Sequence, residues 1–138
     1  MEFTPLTSTS LAAAAADVLE RAGYKEAATE GGWQASWGRV YEDPYSIAAV
    51  AVFETWAALQ EQWVALQSAL ASLIAENFAK AEPKAWEGYL VLLTPSIVPS
   101  EFRAEAADIR RNTQHVRKLL GTGDEIATLE DVDRVLLP

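Results

Sequence analysis

The 138-residue sequence predicts a single mixed α/β (α+β) domain in the order α-β-β-β-α-β-α-α, and three stretches carry that prediction. Ser46-Ile-Ala-Ala-Val-Ala-Val-Phe53 is an unbroken apolar run, as expected of a strand covered on both faces. Beyond Glu54, the residues Trp56, Leu59, Trp63, Leu66, Leu70 and Leu73 recur at steps of three and four, the period of a one-sided helix. Gly88-Tyr-Leu-Val-Leu-Leu-Thr94 is a second buried strand, closed by Pro95 and Pro99. A strand, a helix and a strand in one sheet imply a right-handed parallel crossover, with the 55–78 helix on a face.

The other elements follow in chain order. Residues 7–22 read as a helix capped by Ser8 or Ser10, with Leu11, Ala15, Val18, Leu19 and Ala22 on one face and Gly23 as its stop. Gly31-Gly32 marks a turn between a weak strand, Tyr24 to Thr29, and a better one, Trp33 to Tyr41, so the sheet gains an antiparallel hairpin and is mixed. Asp43-Pro44 turns into the third strand. The Ala-Glu-Pro-Lys segment at 81–84 cannot continue the long helix. Ser100 is the expected cap of a basic helix from Glu101 to Leu120, stopped by Gly121. Thr128 and Asp131 have capping-box spacing for a last helix through Leu137. The domain thus spans 1–138, with a 7–94 core and helices over 100–137.

Composition narrows the function. Half the residues are hydrophobic, which suits a chain that buries a real core without disulfides. The absence of cysteine excludes a thiol nucleophile and a thiolate zinc site. No apolar stretch approaches a membrane span, and Met-Glu-Phe-Thr-Pro lacks a basic secretory start, so a cytoplasmic chain is expected. A net charge of −9 opposes sequence-independent binding to a phosphate backbone. Five of the eleven basic residues nevertheless fall between Arg103 and Lys118, beside His115, the only histidine.

The helix–hairpin–strand–helix–strand order over 7–94 is similar to the core of restriction-endonuclease-like nucleases. That resemblance implies two carboxylates holding Mg²⁺ and a lysine placed by a Glu-x-Lys motif. Asp43 and Glu54 are the matching carboxylates, but Trp56 stands where the lysine is wanted, so the active site is incomplete. Glu20 is a further acidic candidate. Both main candidates also have plain readings, Asp43 as a turn residue before proline and Glu54 as a carboxylate favoured at a helix start. The Gly121-Thr-Gly123 pair is not a phosphate loop, since it follows an expected helix and no lysine-serine or lysine-threonine comes after it.

On the basic helix, Arg110, Arg111, Arg117 and Lys118 make a cationic surface for an acidic partner or phosphate. The plain reading is a solvated, dipole-matched face with Ile109, Val116, Leu119 and Leu120 turned inward. Trp56 and Trp63 belong to the core stripe. Trp33, Trp37 and Tyr41 alternate on one hairpin face, either as core or as an exposed aromatic interface.

Three stretches together, Ala-Val-Ala-Val-Phe-Glu-Thr-Trp (49–56), Trp-Glu-Gly-Tyr-Leu-Val-Leu-Leu-Thr-Pro (86–95) and Ile-Arg-Arg-Asn-Thr-Gln-His-Val-Arg-Lys-Leu-Leu (109–120), resemble the small middle components encoded beside ABC- or SMC-like ATPases in bacterial anti-phage systems, Lamassu among them. Where that family often has Asp and Cys, this chain has Asn112 and Val116. The resemblance implies a non-catalytic adaptor without cofactor, binding an ATPase and an effector nuclease through Arg110, Arg111, Arg117, Lys118, Trp33 and Trp37. Nucleic acid would be met only indirectly. The alternatives are a Mg²⁺-dependent nuclease using Asp43 and Glu54, and a homo-oligomer joined through the 56–73 stripe.

Overall fold

The computed structural model describes residues 7–26, 38–43, 46–79, 87–112, 116–126, 128 and 130–136. Helix α1 (Ser8–Arg21) opens the chain. Its cap is Thr7, not Ser8 or Ser10. The Thr7 side chain accepts from the Ser10 N–H (3.0 Å), and the Ser10 hydroxyl accepts from the Thr7 N–H (2.8 Å), so two orphan donors are satisfied reciprocally. Gly23 ends the helix at φ 99°, in the left-handed region that suits glycine. Strands β1 (Lys25–Glu26) and β2 (Gly38–Glu42) pair antiparallel, as the hairpin reading requires; its Gly31-Gly32 turn lies outside the described residues.

Strand β3 (Ser46–Val52) is buried at every position, and it pairs antiparallel with β2 and parallel with β4 (Glu87–Leu93). Between them runs α2 (Trp56–Ala79), whose Trp56, Leu59, Leu66 and Leu70 are all buried against the sheet. A stripe consumed in this way is not free to join two chains, which overturns the 56–73 self-association reading for its described side chains. Trp63 packs partly buried beside it.

The order departs from expectation after Pro99. Instead of one helix from Glu101 to Leu120, Ser100–Phe102 forms a 3₁₀ turn with no side-chain cap, α3 covers only Arg103–Arg111, and β5 (Arg117–Gly121) pairs parallel with β4. Asn112 leaves the helix in an extended conformation at ψ 115°. The reason lies in the sheet: β4, with its buried Leu90–Leu93 run, has two edges to satisfy, and β5 occupies the second. Gly121 is therefore the last residue of a strand, not a helix stop. A Cβ there would stand 2.7 Å from Ile126 Cδ1 and 2.9 Å from Leu93 Cδ2. Short helix α4 (Asp131–Leu136) follows, with the Thr128 N–H donating to Asp131 Oδ2 (3.0 Å) in the reciprocal half of the expected box.

The five strands lie in the order β1-β2-β3-β4-β5. Ile47, Ala49, Ala51, Leu90, Leu92 and Leu120 point to one face, under α2 and α3; Tyr41, Ala48, Val50, Val52, Val91 and Leu93 point to the other, under α1 and α4. The result is a three-layer α/β/α domain. No helix among the described residues is long and apolar enough to cross a membrane.

Candidate functional site

The two carboxylates of the nuclease reading do not meet. Asp43 sits at the turn before β3 and Glu54 just past its other end, so seven strand residues, about 20 Å of extended chain, lie between them. Glu54 is exposed. Asp43 Oδ1 accepts from both the N–H (2.7 Å) and the hydroxyl (3.0 Å) of Ser46, closing the turn. Among the described residues, no group of three acidic or histidine side chains could hold a metal ion. Glu20 is exposed on α1.

The four basic residues also separate, because a helix became a helix and a strand. Arg111 is exposed at the end of α3. Arg110 forms an ion pair with Glu125. On β5, successive side chains take opposite sides of the sheet. Lys118 turns towards α3 and is only 3% exposed, its Nζ donating to Asn112 Oδ1 (2.9 Å) and to the Val116 carbonyl (2.8 Å). Burial holds this amine below its ordinary pKa. Lys118 is thus a structural residue and not a contact cation, which corrects its assignment to the partner surface. Trp33, Trp37 and His115 lie outside the described residues.

Arg117 faces the other way and lines an open cleft of about 780 Å³ between α1, α4 and the sheet. The strand registers build its floor in rows. Tyr41, Ala48, Tyr89 and Arg117 stand side by side across β2, β3, β4 and β5, and the next row on the same face is Arg39, Val50, Val91 and Leu119. Ala48, small between two tyrosines, is itself buried and lies at the base of the cleft. Leu19 from α1 and Val135 and Leu136 from α4 form the apolar walls.

Tyr24, directly after the α1 stop, closes one side, its phenol oxygen 2.6 Å from Ser46 Oγ. Ser46 has one hydroxyl proton and gives it to Asp43, so Tyr24 is the donor in this pair, and its oxygen keeps its acceptor capacity. The proposed metal ligand Asp43 therefore orients the cleft through Ser46.

The charges of the cleft are unequal in their freedom. Arg134 is ion-paired with Asp131 and Arg110 with Glu125, whereas Arg117 is exposed and has no carboxylate partner among the described residues. Sequence reasoning named Arg117 but missed Tyr24 and Tyr89. The signal for Tyr89 was available in its alternation with Val91 and Leu93, which puts the tyrosine on the face opposite Leu90 and Leu92.

A smaller hollow of about 430 Å³ lies at the other end of β5, lined by Val98, Arg103, Ala106, Arg110, Thr122, Asp124 and Glu125. Asp124 there accepts from the Val98 N–H (2.8 Å) and the Thr122 hydroxyl (3.1 Å), and the backbone bond holds its carboxyl below the usual range. Gly121-Thr-Gly123 does follow a strand, contrary to the premise used against a phosphate loop, but its glycines serve packing. The Gly123 N–H donates to the Ser96 carbonyl (2.8 Å), and a Cβ on Gly123 would lie 2.3 Å from the Pro95 carbonyl oxygen.

Compared with family models, with curated proteins and with solved structures, the chain matches none.

Proposed function

We propose that this chain is a non-catalytic accessory subunit that binds a protein partner, and that it acts as an adaptor in a bacterial anti-phage complex between an ABC- or SMC-like ATPase and an effector. The observation that carries the reading is Arg117, without a carboxylate partner among the described residues, in an aromatic and apolar cleft on a chain whose net charge is −9. A lone exposed cation among paired ones suits recognition of a carboxylate, and tyrosine and arginine are the residue types that dominate protein interfaces. Arg111, exposed at the end of α3, offers a second contact on the far side of the sheet.

In this reading the mechanism is positional: the subunit holds or restrains an effector while the ATPase senses DNA. The α-β-β-β-α-β order through Leu93 supports a restriction-endonuclease-like core to which β5 and α4 are added, kept as a scaffold after its chemistry was lost. A cysteine-free chain suits the reducing cytoplasm in which such complexes work.

The test is affinity purification of the tagged protein from its native host, followed by mass spectrometry. Stoichiometric recovery of an ATPase or nuclease, lost with Arg111→Glu/Arg117→Glu but not with exposed Val64→Glu, is the expected result. A protein that comes down alone at native concentration overturns the adaptor reading.

A further inference from the structure

We infer that the cleft between α1 and α4 is the docking groove for an extended segment of the partner that carries one carboxylate two residues from an apolar side chain. The inference rests on the adaptor reading and gives it a place and a chemistry.

Charge complementarity supplies the first argument. The cleft is lined by Arg110, Arg117, Lys118 and Arg134 with Glu125 and Asp131. The two ion pairs cancel Arg110 and Arg134, and the Lys118 amine is turned away to Asn112 and the Val116 carbonyl. What remains among the described residues is the charge of Arg117, a fork-shaped donor that takes a carboxylate in bidentate fashion. The net charge of −9 opposes carboxylates elsewhere, so on this face an acidic segment gains when its charge lies at Arg117.

Spacing supplies the second. Arg117 and Leu119 are alternate residues of β5, and Tyr89 and Val91 stand beside them in register on β4. Same-face positions along a strand repeat at about 6.6 Å. An extended peptide running along the floor has that same repeat, so a carboxylate on Arg117 brings the side chain two residues away over the partly buried Leu119. The Tyr24 oxygen, left as an acceptor by its bond to Ser46, can take one of that peptide's backbone N–H groups.

The experiment uses the full chain in its host complex. Co-purification is compared for the natural protein, Arg117→Gln, Arg117→Glu and the opposite-face control Val64→Glu, each checked by thermal melting. A photo-reactive benzoylphenylalanine at position 24 then maps the bound segment. The expected result is at least a tenfold loss of partner with Arg117→Glu, a smaller loss with Arg117→Gln, and retention with Val64→Glu. The position-24 cross-link should fall beside an Asp or Glu of the partner, and reversing that residue to Arg should restore binding to Arg117→Glu. A partner that is retained by Arg117→Glu, or that is lost with Val64→Glu and does not cross-link from position 24, overturns the groove and leaves the adaptor reading standing. A natural protein that captures no partner overturns both.

Discussion

The two faces of the sheet are built from the same strands and end in different states. Under α2 and α3, the core from Val40 to Leu120 is sealed, with Leu59, Leu70, Leu90 and Leu92 at zero exposure, and Ala58, Trp63 and Phe102 are partly buried at its rim. Under α1 and α4, the deeper residues are equally buried, but Tyr24, Tyr89 and Leu119 are only partly so. The difference follows from helix length. Helix α2, 24 residues and about 36 Å, outruns the strands it covers, whereas α4, six residues and about 9 Å, cannot reach the Tyr89–Arg117 row. One face therefore supplies stability, and the other leaves space for recognition.

The largest test of that contrast pairs two leucines. Leu59→Ala removes a fully buried side chain from a face that cannot collapse, at a cost of about 2–5 kcal/mol. Leu119→Ala, at the cleft floor beside existing space, should cost under about 1.5 kcal/mol, because its atoms are already partly in water. Urea unfolding of both variants measures the gap; equal losses would mean that the two faces are equally closed. Next in size is Gly123→Ala. The new methyl meets backbone at Pro95 and Ser96, where no side chain can swing away, so about 1–3 kcal/mol should be lost on both faces together.

Much of this architecture was legible in the sequence, and the failures share one cause. The β3–α2–β4 unit was readable because apolar runs and a three-four period report burial directly. The passage from Ile109 to Leu120 misled because Lys118 occupies an inward strand position. With a leucine there, Val116, residue 118 and Leu120 would have shown the alternation of a strand; a lysine hid it and left Ile109, Val116 and Leu120 at helical spacing. The buried stem with its amine tied to Asn112 and Val116 is a tertiary solution that no local pattern announces. The site was half legible for the same reason. Arg117 was named, but as one of a helical cluster, and only the registers bring it beside Tyr89.

Adjacent residues of β5 offer a sharper comparison. Lys118→Ala strips a buried stem and orphans two acceptors on the α3 side, and about 1–3 kcal/mol should follow. Arg117→Ala, one residue earlier, removes an exposed side chain and should shift stability by less than about 0.5 kcal/mol. Differential scanning calorimetry on the pair resolves the two, and a comparable loss at Arg117 would place its guanidinium in the scaffold and not in the cleft.

The smallest effect concerns the stitch between the faces. Asp124 accepts from the N–H of Val98, which belongs to the core under α2 and α3, while two residues later Ile126 enters the core under α1 and α4. Its carboxyl is held below the ordinary value of 3.8, first by that backbone bond. The unfolded chain therefore binds more protons than the folded one between the lowered value and 3.8. The stabilisation from Asp124 is full above that window and is lost as pH falls through the folded value. Asp124 is exposed, so its contribution at neutral pH is modest, about 1 kcal/mol. Asp124→Ala should melt a few degrees below the natural protein at pH 7, and the two melting curves should draw together only as the pH falls below 3.8 through the lowered value. A difference that persists unchanged into acid would show that Asp124 joins the two faces through its packing and not through its charge.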